Sequence, residues 1–139
     1  MNIDIKICED NKIQLKYIEE KIKIILNDIN YNIECFTSAE DLLNSNLDKM
    51  NILILDLDLG GDWGIEVAKE IRSKKIKCEI IFLTALDNYS REGYKVKAFR
   101  YILKDDNMYF ELEESLKECI KELQDETKKI KIETKQGEY

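Results

Sequence analysis

Short apolar segments alternate along this chain with amphipathic helical patterns, and the alternation repeats five times. The strand-like segments are residues 3–8, 32–36, 51–56, 79–84 and 99–103. Two of them, 51–56 and 79–84, are almost continuously apolar, which is typical of strands covered on both faces of a parallel sheet. Five successive strand–helix units predict an α/β fold: a doubly wound, five-stranded parallel sheet with right-handed crossovers and helices on both faces.

Length and charge restrict the function classes. The 139 residues suit a single domain, and 22 basic against 29 acidic side chains give a net charge of −7. An acidic chain is poorly suited to gripping a phosphate backbone, which needs clustered Lys and Arg. No apolar run approaches the ~20 residues that span a bilayer, and the N-terminus lacks an apolar signal core. We therefore expect a cytoplasmic protein without a membrane segment.

The four cysteines, Cys8, Cys35, Cys78 and Cys119, are not spaced for a metal site or a disulfide scaffold. No pair has Cys-x-x-Cys spacing, and the chain has no His to complete a zinc site. Each cysteine lies within or beside an apolar segment. The sequence therefore predicts buried, reduced thiols.

Polar residues follow four of the predicted strands. Glu9 and Asp10 follow the first strand, Asp56 the third, Thr84 ends the fourth and Lys104 follows the fifth. Because the carboxyl ends of parallel strands share one edge of a sheet, these side chains are expected to converge. Clustered carboxylates repel one another unless a cation joins them, and their oxygens suit Mg²⁺. Such a carboxylate can attack a phosphoryl donor while an ammonium and a hydroxyl stabilise the transferred group.

In order and spacing, four segments resemble those of bacterial response-regulator receiver domains. They are residues 7–11 (ICEDN), 52–64 (ILILDLDLGGDWG), 80–85 (IIFLTA) and 99–104 (FRYILK). The resemblance covers residues 1–124 and implies a flavodoxin-like strand order, 2-1-3-4-5. It also implies a sensor histidine kinase as the partner. The domain would then be a signalling phosphoacceptor, not an enzyme, beyond self-phosphorylation from small donors and autodephosphorylation.

The resemblance implies an acceptor and a metal site. Asp56 would be the phosphoacceptor. Mg²⁺, with Mn²⁺ as an alternative, would be bound by the acidic pair Glu9 and Asp10, by Asp56 and by the backbone carbonyl of Asp58.

The same resemblance implies how the phosphoryl group is held and sensed. Thr84, the backbone amide of Ala85 and Lys104 would bind its oxygens. Thr84 and Tyr101 would be a coupled switch pair, in which the hydroxyl moves toward the phosphate and the aromatic ring turns inward.

Two positions depart from the usual receiver pattern. Gly60 and Asp105 stand where receivers usually have proline, in the loop after the acceptor and after the lysine of the fifth strand. Asp105 and Asp106 also add negative charge beside Lys104, which would weaken its hold on a phosphate.

Residues 125–139 differ in kind from the rest. Residues 124–129 are wholly polar, and the alternation at Ile130 and Ile132 predicts a strand. The segment resembles a polar linker and the first strand of a LytTR-type DNA-binding domain, as in accessory-gene-type quorum-sensing regulators. The resemblance implies that DNA is bound only by a C-terminal domain absent from this chain.

Two other functions remain open on the sequence. Asp56 and Asp58 after an apolar strand also fit a haloacid-dehalogenase-type phosphatase, with the first Asp as nucleophile and the second as general acid. The second open function is that of a degenerate receiver that only binds other proteins, because Gly60 and Asp105 depart from the receiver pattern.

The fourth helix region is basic and the fifth is acidic. These regions are either solvated faces or a homodimer contact through helix 4, strand 5 and helix 5.

Overall fold

A computed structural model describes residues 2–137, with side chains described for residues 2–132. Its strands are β1 (Ile3–Cys8), β2 (Tyr31–Phe36), β3 (Ile52–Leu55), β4 (Glu79–Thr84) and β5 (Arg100–Leu103). They form one sheet in the order β2-β1-β3-β4-β5, and every neighbouring pair is parallel. The predicted fold class and strand order are confirmed.

The helices are α1 (Lys12–Ile25), α2 (Ala39–Leu43), α3 (Gly64–Ser73), α4 (Ser90–Lys95) and α5 (Met108–Gly137). Two begin at side-chain caps: Asn11 accepts from the backbone N–H of Gln14, and Ser38 accepts from that of Asp41. None of the helices that the structure describes is long and apolar enough to cross a membrane.

The sheet separates two apolar cores. One contains the alternate β1 residues Ile3, Ile5 and Ile7 with the inner faces of α1 and α5. The other contains Leu53 and Leu55 of β3 with α2, α3 and the end of α4. All four residues of β3 are at most 1% exposed, which explains their continuous apolar sequence.

The cysteines are free thiols, as predicted. Cys8, Cys78 and Cys119 are buried, and Cys35 is partly buried. Burial raises the pKa of the Cys8, Cys35 and Cys119 thiols to about 12, because desolvation disfavours the thiolate. These thiols are therefore poor nucleophiles at neutral pH.

Helix α5 continues through the segment where the sequence predicts a linker and a strand. The strand prediction at Ile130 and Ile132 is wrong, since helix extends to Gly137. Lys, Glu and Gln dominate residues 124–136 and are strong helix formers. Ile130 also keeps the helical spacing set by Leu123 and Thr127, and the described residues beyond β5 include no strand with which Ile132 could pair.

Candidate functional site

The ends of β1, β3, β4 and β5 bring the polar strand-end residues to one pocket of about 280 Å³. Its lining includes Glu9, Asp10, Asn11, Gln14, Asp56, Asp58, Thr84, Ala85, Leu86 and Lys104. Backbone hydrogen bonds across the sheet fix this arrangement. The N–H of Asp56 donates to the carbonyl of Cys8 at 3.2 Å, and that of Lys104 donates to the carbonyl of Thr84 at 2.8 Å. These bonds hold the polar residue at the end of one strand beside the polar residue at the end of the neighbouring strand.

Three carboxylates form the acidic side of the pocket. Glu9, Asp10 and Asp56 each place one oxygen within 4.8 Å of the other two. Glu9 and Asp56 are buried and Asp10 is exposed. Burial raises the pKa of the Glu9 carboxyl to about 7, although hydrogen bonds from Lys104 and from the backbone of Asn11 oppose the shift. Such hard oxygen donors, open to water on one side, fit Mg²⁺ or Mn²⁺.

Lys104 bridges two of these carboxylates. Its ammonium donates to Glu9, to Asp56 Oδ2 at 2.7 Å and to Gln14 Oε1 at 2.6 Å. Burial lowers the pKa of Lys104, but its hydrogen bonds to Asp56 and Glu9 and their charges outweigh burial and raise it overall. Lys104 is therefore a fixed positive charge beside Asp56.

The aspartates after Lys104 do not pair with it. Among the described residues, the ion-pair partners of Lys104 are Glu9 and Asp56. The carboxylate of Asp105 instead accepts from the backbone N–H of Asn107 at 2.9 Å, at the start of α5. The negative charge of Asp105 would therefore act on a bound phosphate by electrostatic repulsion at a distance and not through an ion pair with Lys104.

The loop after Asp56 explains why glycine replaces proline at position 60. Gly60 has a φ of +67°, and its N–H donates to Asp58 Oδ1 at 3.1 Å. Proline has a φ near −65° and no N–H, so it fits neither requirement. A Cβ at Gly60 would lie 3.0 Å from Asp10 Oδ2. The bare backbone therefore lets the loop pass directly beside the Asp10 carboxylate.

Gly64 brings α3 against the chain that follows β3. Its N–H donates to the carbonyl of Leu57 at 2.7 Å. A Cβ at this position would lie 2.2 Å from the backbone oxygen of Asp56, which no side chain tolerates. Glycine at position 64 is thus a steric requirement of the site.

The predicted switch pair is linked through the peptide groups of Leu86. The Thr84 hydroxyl accepts from the Leu86 N–H at 3.3 Å, and the Tyr101 hydroxyl donates to the Leu86 carbonyl. Thr84 is 1% exposed, and the Tyr101 ring lies 6.2 Å from that of Phe82. The ring is thus partly buried against the core that contains Phe82. Burial also raises the pKa of Tyr101, so its hydroxyl stays protonated as a donor.

Two features of the site were missed by the sequence analysis. Gln14 is one, because its contact with Lys104 depends on which way the first turn of α1 faces. The other is the edge-to-face pair of Trp63 and Tyr89, whose ring centroids are 4.9 Å apart at 77°. This pair connects the loop after Asp56 with the loop after Thr84.

Comparison with known proteins gives concordant matches. The family described as response regulator receiver domain matches residues 5–117. Sensory transduction protein LytT from Bacillus anthracis is 35% identical over 91 residues, covering 66% of this chain and 35% of that protein. LytT from Oceanobacillus iheyensis is 36% identical over 110 residues, covering 75% of this chain and 43% of that protein. The chain thus spans well under half the length of these curated relatives.

Solved structures of response regulators have the same fold as this chain. The response regulator protein TrrA from Thermotoga maritima, in complex with Mg²⁺ and BeF, has a TM-score of 0.72 and 28% identity, covering 84% of this chain and 98% of that chain. The response regulatory domain of mrkE from Klebsiella pneumoniae has a TM-score of 0.77 at 22% identity, covering 88% and 99%, and shows the fold alone. The family match runs from β1 into α5 and includes every strand-end residue of the pocket. This chain belongs to the response-regulator receiver family.

Proposed function

We propose that this domain accepts a phosphoryl group on Asp56 from a sensor histidine kinase in a Mg²⁺-dependent transfer. The observation that carries the proposal is the position of Asp56 Oδ2, 2.7 Å from the Lys104 ammonium and beside the carboxylates of Glu9 and Asp10. A nucleophile, a fixed positive charge and a cation site within one pocket are the parts that phosphoryl transfer requires.

The chemistry is a displacement at phosphorus. A carboxylate oxygen of Asp56 forms the new P–O bond, and the bond to the donor breaks with its electron pair leaving on the donor group. Glu9, Asp10, Asp56 and the backbone carbonyl of Asp58 would hold Mg²⁺, which offsets negative charge on the carboxylates and on the transferred group. The product is an aspartyl phosphate.

The remaining contacts come from the chain's own donors. Lys104, Thr84 and Ala85 line the pocket. The Lys104 ammonium, the Thr84 hydroxyl and the backbone N–H of Ala85 would donate to the phosphoryl oxygens. When Thr84 turns to the phosphoryl group, the Leu86 N–H loses its acceptor. Since Leu86 also accepts from Tyr101, the change reaches β5. We assign the switch to this loop.

We propose an output domain that follows the receiver, because the curated relatives are more than twice as long as the part that matches this chain. We place a LytTR-type DNA-binding domain after residues 125–139, with the end of α5 as the connection. A cytoplasmic location follows from the proposed kinase and DNA partners. In this arrangement, the phosphorylation state of the receiver controls binding of the output domain to DNA.

The test is phosphorylation by a small donor. The protein is incubated with acetyl phosphate and Mg²⁺, and its intact mass is measured for the natural chain, Asp56→Asn and Asp62→Asn. We expect one phosphoryl group on the natural chain and on Asp62→Asn, and none on Asp56→Asn. Asp62→Asn is the matched control because Asp62 is exposed in the same loop and does not line the pocket.

The alternative functions give different results in this assay. A phosphatase of the haloacid-dehalogenase type, which the family match does not support, would release phosphate continuously from an aryl phosphate and depend on Asp56. A degenerate receiver would gain no mass under any condition. Either result would overturn the proposal.

A further inference from the structure

The Lys104 ammonium has all its N–H groups engaged before any phosphate arrives. An ammonium has three donors, and the described partners are Glu9, Asp56 and Gln14. Glu9 and Asp56 are buried carboxylates, whereas Gln14 is a neutral amide on an exposed residue of α1. The three bonds are therefore unequal.

Gln14 is held in place by the start of its helix. Its backbone N–H donates to the side chain of Asn11 at 3.0 Å, which caps α1 directly after Glu9 and Asp10. The Gln14 side chain is thus presented from a fixed turn and not from a mobile loop. Its carbonyl oxygen lies 2.6 Å from the Lys104 ammonium.

Gln14 also stands at the mouth of the site. It lines the pocket that holds Asp56 and Thr84, and it lines a neighbouring pocket of about 320 Å³ with Tyr17 and Met108. Lys104 borders both pockets. A phosphoryl donor approaching Asp56 therefore meets the bond between Gln14 and Lys104.

A phosphoryl oxygen can bind Lys104 only if one existing bond is released. Glu9 and Asp56 add the attraction of a buried carboxylate to their bonds with the ammonium, whereas Gln14 is neutral and exposed, so the bond to Gln14 is released first. We propose that Gln14 is a positioning residue for phosphoryl transfer: its side-chain carbonyl occupies the N–H of Lys104 that the phosphoryl group needs, and so limits the rate at which Asp56 is phosphorylated. This inference rests on the proposed function.

Two substitutions at position 14 test the competition. Gln14→Ala removes the acceptor and frees one N–H, so we expect phosphorylation by acetyl phosphate to be about two- to tenfold faster, the effect of one exposed hydrogen bond. Gln14→Glu supplies a charged acceptor that Lys104 releases less readily, so we expect a rate several-fold below the natural one. Rates are taken from intact mass at saturating Mg²⁺.

The controls separate competition from a general structural effect. Gln124→Ala and Gln124→Glu make the same changes on an exposed part of α5 and should leave the rate unchanged. Trp63 fluorescence titrations should give the same Mg²⁺ affinity for Gln14→Ala as for the natural chain, and the thermal midpoint should be unchanged. A residue that merely supports the fold would lower rate, affinity and midpoint together.

The outcomes distinguish this inference from the function on which it rests. If the natural chain is phosphorylated but Gln14→Ala is no faster, the inference is overturned and the proposed function stands. If the natural chain is not phosphorylated on Asp56, both are overturned. The inference is supported if Gln14→Ala is phosphorylated fastest, the natural chain more slowly and Gln14→Glu most slowly, while both Gln124 variants keep the natural rate.

Discussion

Gly60 controls how closely the acceptor loop approaches the acidic cluster. Its Cβ position lies 3.0 Å from Asp10 Oδ2, and its φ of +67° favours glycine. We expect Gly60→Ala to displace the Asp10 carboxylate and to lower Mg²⁺ affinity about tenfold, which corresponds to ~1.4 kcal/mol. Titration followed by Trp63 fluorescence measures the affinity.

Gly61→Ala is the matched control for that prediction. Gly61 also has a positive φ, +122°, but no atom lies within 4 Å of its Cβ position. Both variants should lose some stability from backbone strain. Only Gly60→Ala should lose Mg²⁺ affinity, and equal affinities in the two variants would contradict a role for the Asp10 contact.

Glu9 gives the metal-free protein a pH-dependent stability. Burial raises the pKa of its carboxyl from 4.5 to about 7, so between these values the folded chain keeps a proton that the unfolded chain releases. The stabilisation is complete below pH 4.5 and is lost as the pH rises through about 7. We expect the free energy of unfolding to fall across this window by at most about 3 kcal/mol relative to Glu9→Gln. Urea denaturation at several pH values measures the difference, and parallel profiles would contradict it.

The site residues that the strand pattern itself predicted share one property: each follows or ends an apolar strand. Asp56 and Thr84 could be found because the strand pattern fixes where their side chains emerge. Gln14 could not, because a residue in the first turn of a helix reaches the site only if that turn faces inward. The packing of α1 on the sheet decides this, and no local pattern records it.

Among the secondary-structure elements, α4 is short and depends on its neighbours. Arg72 of α3 donates to the carbonyls of Val96 at 2.8 Å and Lys97 at 3.1 Å, which follow α4. It also donates to the carbonyl of Cys78, before β4, at 2.8 Å. One planar guanidinium thus joins the end of α3 to two loops at the edge of the sheet opposite the acceptor site.

We expect Arg72→Lys to lower the free energy of unfolding by about 1–3 kcal/mol. An ammonium cannot reproduce the fork of a guanidinium, so one or more of the three carbonyls, two of them partly buried, loses its donor. Arg91→Lys, on the exposed surface of α4, should change the value by less than about 0.5 kcal/mol. Urea denaturation compares the two variants, and equal losses would show that the three carbonyl contacts contribute nothing.

The element that the sequence analysis predicted wrongly is the end of α5, which is helix where a strand was expected. Two isoleucines in alternation are too few to separate a strand period from a helix period, whereas the strands of the core each carry at least four patterned residues. The exposed fractions of Ile130 and Ile132, 55% and 57%, show that neither side chain is fixed by packing. Where tertiary contacts are few, helix propensity decides the conformation.

For the whole molecule, the uneven distribution of charge matters more than its net value of −7. Arg91 and Lys95 make the exposed side of α4 basic, while the first half of α5 is acidic. Arg100 and Glu118 pair within the chain at 2.5 Å, so they are already neutralised. Tyr94, which is 83% exposed, lies beside the basic residues. The face of α4, β5 and α5 thus offers complementary charge to a second copy related by a two-fold axis.

We expect phosphorylation by acetyl phosphate to convert the monomer to a dimer through this face, as measured by sedimentation velocity. Lys95→Glu makes α4 acidic like the start of α5, and Glu114→Lys makes α5 less acidic opposite the basic α4, so each variant alone should dimerise weakly. Mixed together, the phosphorylated variants should recover association, because the acidic face of one then meets the more basic face of the other. Lys16→Glu on α1 makes the same charge change as Lys95→Glu on another face and should dimerise like the natural chain. A phosphorylated natural chain that sediments as a monomer, or a mixture no more associated than its components, would contradict this arrangement.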